Sequence, residues 1–116
     1  MKKVLFILGS LFITTSVMAA DYYRNKTIVG AGIYYNGGNS ILFIDIDGDK
    51  SGMPACASSG RLAIDSTAPN FKEMVSFALT AYTSKQNSVD IYVTPTCNYW
   101  SNSQDIKGIK IGSMPF

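Results

Sequence analysis

The chain has 116 residues, 47% of them hydrophobic, with ten Lys and Arg against eight Asp and Glu and no histidine. That length suits one domain, and the missing histidine removes most Ser-His and Cys-His nucleophile systems together with the commonest metal ligand. The formal net charge of +2 rests on Lys2 and Lys3; without them no basic block remains to hold phosphate backbones or anionic lipid, so neither nucleic acid nor membrane insertion is expected.

Residues 1 to 19 read as a secretory signal of bacterial type. Lys2 and Lys3 give a positive start, Val4 to Val17 form an apolar run, and Val17-Met18-Ala19 supplies small residues for cleavage before Ala20. The run is about 14 residues, shorter than the roughly 20 that span a bilayer. Residues 20 to 116 are then expected to form a single domain in the periplasm or outside the cell, with eight charges of each sign. Such a neutral domain repels itself little, which favours self-association.

The first strand is expected over Lys26 to Tyr35, where Val29, Ala31, Ile33 and Tyr35 form the apolar parity. Asn36-Gly37-Gly38-Asn39 is a hairpin turn signal, because Gly and Asn accept the positive φ of such turns. Ser40 to Asp47 returns as a second strand, with Leu42, Ile44 and Ile46 on one face and Ile41, Phe43, Asp45 and Asp47 on the other. Gly30 and Gly32 weaken the first strand, bend it, or admit another backbone. A loop, Gly48 to Gly60, carries Cys56, and Leu62 and Ile64 mark a third strand.

A helix follows Pro69, with Asn70 as its cap and Glu73 completing a capping box. Phe71, Met74, Val75, Ala78, Leu79 and Tyr82 fall at i, i+3, i+4, i+7, i+8 and i+11, one buried stripe. Lys85-Gln86-Asn87 ends it. Val89, Ile91 and Val93 alternate in a fourth strand that Pro95 stops. Ile106, Ile109 and Ile111 mark a fifth, with a bulge at Gly108. The order β-β-β-α-β-β fits a mainly β, five-stranded OB-fold barrel with one helix. The alternative is an open α+β sheet with one packed helix.

Cys56 and Cys97 in an exported chain most simply form one disulfide, free or metal-bound thiols being the alternative. Closing that loop is worth about 4 kcal/mol in the chain-entropy model. No histidine or second cysteine pair completes a zinc site, and no cofactor is expected. Asp45-Ile46-Asp47-Gly48-Asp49 resembles a calcium loop only superficially. Lys50 stands where an EF-hand needs Gly, and Cys56 where it needs Glu. Asn25-Lys26-Thr27 matches a glycosylation acceptor, which matters only in a eukaryotic secretory route. The aspartates sit at strand ends and turns and Glu73 is explained by capping, so an enzyme is not expected.

Tyrosine is abundant, at Tyr22, Tyr23, Tyr34, Tyr35, Tyr82, Tyr92 and Tyr99, with Trp100 beside the last. A flat apolar face with a hydroxyl suits wet interfaces and sugar rings, although β-rich domains favour tyrosine anyway. Trp100, three residues after Cys97, reads first as a packing lid on the disulfide and second as a ligand platform.

Four stretches together carry a resemblance: "TIVGAGIYYNGGNSILFIDIDG", the helix "FKEMVSFALTAYTSKQNS", "VDIYVTPTCNYW" and "IKGIKIG". With a Cys before the third strand, this pattern resembles the small exported OB-fold proteins related to the B subunit of subtilase cytotoxin and the pertussis-like toxin B subunits. The resemblance implies a non-catalytic secreted domain that binds a cell-surface glycan or glycoprotein. It also implies a homopentamer that carries an A subunit. Candidate contacts are Tyr34, Tyr35, Tyr92, Tyr99 and Trp100, with Tyr92 in the "IY" pair of the toxin pattern. Val29 stands at the position of the family's sugar-binding serine, and valine cannot hydrogen-bond a sugar carboxylate. The alternative is a periplasmic or extracellular accessory or inhibitor protein that uses the same scaffold for a protein partner.

Overall fold

The computed structural model describes residues 21–115; the signal segment expected over residues 1 to 19 lies outside them. Six strands and one helix follow in order: β1 (Tyr22–Lys26), β2 (Ile28–Asn36), β3 (Asn39–Ile46), β4 (Leu62–Asp65), α1 (Phe71–Thr83), β5 (Val89–Val93) and β6 (Gln104–Ile111). Hydrogen bonding orders the sheet β1-β5-β6-β4-β3-β2. Every pairing is antiparallel except the short parallel step from β4 to β6.

The five-stranded barrel is thereby corrected to a six-stranded sheet whose ladder does not close. The additional strand is β1, which pairs Tyr22 with Tyr92 and Tyr23 with Ile91. Its polar continuation, Arg24-Asn25-Lys26, carries no apolar alternation, and its register shifts where Asn25 turns to φ 55°. Yet β1 and β2 are opposite edges of the sheet and consecutive in the chain. Six flat strands would set the edges about 24 Å apart, whereas the single residue Thr27 spans at most about 7.6 Å. The sheet therefore curls so that the end of β1 and the start of β2 come together at Thr27, while the two edge strands stay unpaired with each other. Asp47 holds that joint, its side-chain carboxylate accepting from the Thr27 N–H and its own N–H donating to the Thr27 carbonyl.

The hairpin is as the sequence predicts. Asn36 faces Asn39 across Gly37 and Gly38, whose φ values of 59° and 94° are those of a two-residue primed turn. Leu42, Ile44 and Ile46 enter the main core with Leu62, Ile64, Val89, Ile91, Val93 and Ile106. α1 closes this core, packing against β2 and β6. At its N-terminus the expected capping box is absent: the Asn70 side chain makes no cap bond and donates instead to the Lys107 carbonyl of β6. The buried stripe is also rotated. Met74, Ala78 and Ala81 are buried, whereas Leu79 is 58% exposed and Tyr82 44%. The small alanines let the helix lie close to the sheet and turn the larger residues outward. β6 starts at Gln104, ahead of its apolar residues, because Gln104 and Asp105 pair with Leu62 and Ala63 of β4. The bulge expected near Gly108 is present: Lys107 is the unpaired residue between the Tyr92–Gly108 and Val93–Ile106 pairs.

Candidate functional site

The outward face of β2, β3 and β4 carries a second, smaller apolar cluster of Ile41, Phe43 and Ala63, against which Tyr99 and Trp100 pack. Cross-strand register explains its composition. Gly32 lies opposite Phe43 and Gly30 opposite Asp45, so β2 offers bare backbone beside these two side chains of β3. A Cβ on Gly32 would come within 3.3 Å of Tyr34 Cε2. The missing side chain is what lets the Tyr34 ring fold back along its own strand.

Two loops complete this face. Cys56 and Cys97 are disulfide-bonded, with their Cα atoms 6.1 Å apart, and tie the loop after β3 to the loop after β5. Beyond the bond the loops zip together: Ser59 N–H and Oγ both donate to the Asn102 carbonyl, at 3.1 and 2.7 Å. Arg61 then donates from Nε to Ser59 Oγ at 3.2 Å and from Nη2 to Asn102 Oδ1 at 3.1 Å. This clamp places the guanidinium 4.3 Å above the Phe43 ring, a stacking geometry that a planar cation favours. Trp100 meets the same ring edge to face, with centroids 5.5 Å apart at 87°, and Tyr34 does so at 5.5 Å and 66°.

Tyr34, Tyr35, Phe43, Arg61 and Trp100 thus line an open recess of about 450 Å³. Tyr34 is 61% exposed and Tyr35 77%, so the recess has an aromatic rim. A smaller recess of about 220 Å³ adjoins it over Gly30 and Gly32 and reaches Asp45, whose Oδ1 accepts from Lys50 at 2.8 Å. Three of the five candidates from sequence meet here. Phe43 and Arg61 were missed. An outward Phe facing a glycine was the signal for the first, and nothing in the local pattern marked the second.

Tyr92 lies on another surface. It stacks on Tyr22 with centroids 4.9 Å apart and planes at 23°. The Arg24 guanidinium sits 4.5 Å from the Tyr22 centroid and Lys107 Nζ 5.1 Å from that of Tyr92. Tyr99 lines a third recess, about 430 Å³, with Thr94, Thr96, Asn98, Asp105, Ile106 and Lys107. The buried Asp105 carboxylate there accepts from the N–H groups of Asn98 and Tyr99 and from the Thr96 hydroxyl, which makes it a loop anchor. Burial, with Asp105 and Asp65 nearby, raises the Tyr99 hydroxyl pKa and keeps it protonated. The aspartates of the calcium-like stretch are each engaged: Asp45 by Lys50, Asp47 by Thr27 and Asp49 by Ser51.

No family model and no curated protein matches the chain. Solved structures do. A point mutant of the Salmonella typhi PltB homopentamer with Neu5Ac-alpha-2-3-Gal-beta-1-4-GlcNAc glycans is 23% identical with a TM-score of 0.60, over 79% of this chain and 84% of that one. A second PltB homopentamer mutant is 20% identical at 0.57, over 79% and 84%. A chain of the subtilase cytotoxin SubAB assembly is 13% identical at 0.58, over 80% and 86%. In fold, then, this chain is similar to the toxin B subunits that its own motifs resemble.

Proposed function

We propose that this protein is a non-catalytic binding domain that acts in the periplasm or outside the cell and engages a glycan or glycoprotein. The observation that carries this reading is the recess in which Tyr34, Tyr35, Phe43, Arg61 and Trp100 converge. Aromatic faces match the C–H faces of sugar rings, while the Tyr hydroxyls and the guanidinium supply hydrogen bonds at the rim. Tyr92, stacked on Tyr22, and Tyr99, in its own recess, are the outlying contacts. The PltB neighbours are homopentamers, one of them with glycans, and the SubAB neighbour is part of an assembly. Carried to this chain, that likeness supports a ring of five copies with an A subunit, in which weak sites act together. Isothermal titration of the oxidised, signal-free protein with a panel of free oligosaccharides tests the reading. At least one should bind, and Tyr35→Ala should weaken it tenfold or more without changing the melting temperature. Absence of binding to every oligosaccharide at millimolar concentration would sink the glycan reading.

A second reading, a protein partner on the same scaffold, is favoured by a different surface. Ile33 and Leu79 are both more than half exposed and flank an apolar cleft of about 190 Å³ between β2 and α1. The edge of β2 runs beside it.

A further inference from the structure

Arg61 is partly buried and lines both adjoining recesses, yet none of the ion pairs among the described residues includes it. Its hydrogen-bond partners are neutral oxygens, Ser59 Oγ on Nε and Asn102 Oδ1 on Nη2. Asp45, the carboxylate that shares the smaller recess, is taken by Lys50 at 2.8 Å.

A guanidinium carries five N–H groups in a fixed plane. The loop clamp uses two of them, along the edge that runs from Nε to Nη2, and one face of the plane rests on Phe43. The end edge is free: both N–H groups of Nη1 and the second of Nη2 meet no acceptor among the described residues. One N–H from each Nη makes a fork, and its aim is set before a ligand arrives, so little side-chain freedom is lost on binding.

A sugar seated on the rim of Tyr34, Tyr35 and Trp100 covers this fork and displaces its water, which costs affinity unless the ligand returns the bonds. A carboxylate returns them with one oxygen on each prong. An acyl carbonyl returns them through the lone pairs of one oxygen, whereas a hydroxyl offers a single, less negative one. Resting on the glycan reading above, we infer that Arg61 is the specificity-determining residue of the recess. It reads an oxo group, carboxylate or acyl carbonyl, on the sugar that the aromatic rim holds.

The test is a titration of matched disaccharides. Chitobiose differs from cellobiose by acetamido groups in place of hydroxyls, and cellobiuronic acid by a carboxylate in place of a hydroxymethyl. At least one of the two oxo ligands should bind tenfold or more tighter than cellobiose. Arg61→Met keeps an apolar side chain over Phe43 and removes the fork; it should abolish that ratio while leaving cellobiose binding within threefold and the melting temperature unchanged. The protein's two arginines are Arg24 and Arg61, so side-chain N–H resonances give a direct readout: the oxo ligand should shift those of Arg61 and not those of Arg24. If cellobiose binds as tightly as both oxo ligands, or if Arg61→Met leaves the ratio unchanged, the role of Arg61 is overturned while glycan binding stands. If none of these ligands and no other oligosaccharide binds, the glycan reading falls and the role of Arg61 with it.

Discussion

Asp90 shows how much one side chain can hold. It is buried on β5, where its carboxylate accepts from the Asn25 N–H at 2.8 Å and meets Lys110 Nζ at 3.1 Å and Arg24 Nη1 at 3.2 Å. Burial on its own would raise its pKa, but the Asn25, Lys110 and Arg24 interactions outweigh that and hold it below the ordinary value. Its folded pKa being depressed, its stabilising contribution is present above the unfolded value of about 3.9. That contribution is lost as pH falls through the lower folded value. Asp90→Asn is expected to cost about 3–5 kcal/mol near neutrality, since Lys110 is left buried without a countercharge. Denaturant midpoints measured from pH 7 down to pH 2 should converge for the two proteins at the acid end. A gap that stays constant with pH would mean that the carboxylate's charge contributes nothing. None of this is visible in sequence, where Asp90 reads as the polar half of an alternating strand.

At the scale of elements, the hairpin, the helix limits and β5 were legible because each depends on local chemistry: Gly-Gly at positive φ, a 3.6-residue period, a two-residue period. What was hidden depended on partners far along the chain. The strand β1 forms only because β5 pairs with it, and the start of β6 only because β4 accepts Gln104 and Asp105. Leu79 and Tyr82 have the spacing of core residues, and only the contact of Ala78 and Ala81 with the sheet decides that they turn outward. The recess follows the same division. Tyr34, Tyr35 and Trp100 were recognisable as residue types, whereas Arg61 acquires its place from Ser59 and Asn102, the latter forty-one residues away. The disulfide spans that same distance in sequence. Cys97→Ser should lower stability by about 4 kcal/mol, read as a fall in the denaturant midpoint. It should also weaken oligosaccharide binding more than Tyr92→Ala does. Full binding by the folded Cys97→Ser protein would show that the loops hold the recess without the bond.

For the molecule as a whole, surface chemistry argues against a free monomer. β2 is a nine-residue edge strand without proline, and Ile33 on it and Leu79 on the adjoining helix leave apolar surface in water. Natural sheets seldom leave such an edge and patch uncovered. Because the edge and the helix strip are different surfaces, copies joined through them head to tail would form a ring where the rotation between copies closes, and an open filament where it does not. Native mass across a dilution series should show a stable multiple of the chain, five in the toxin-like arrangement, and Ile33→Lys with Leu79→Glu should reduce it to one. A wild-type protein that stays monomeric at high concentration would remove the ring. The disulfide adds a matter of timing. Arg61 and Trp100 arrive at the Phe43 ring from loops that Cys56 and Cys97 fasten together. While those cysteines are still thiols, the chain can carry every residue of the recess and yet lack the recess. If the recess binds as proposed, competence to bind would be a step of maturation, acquired when the chain is oxidised rather than when it is made.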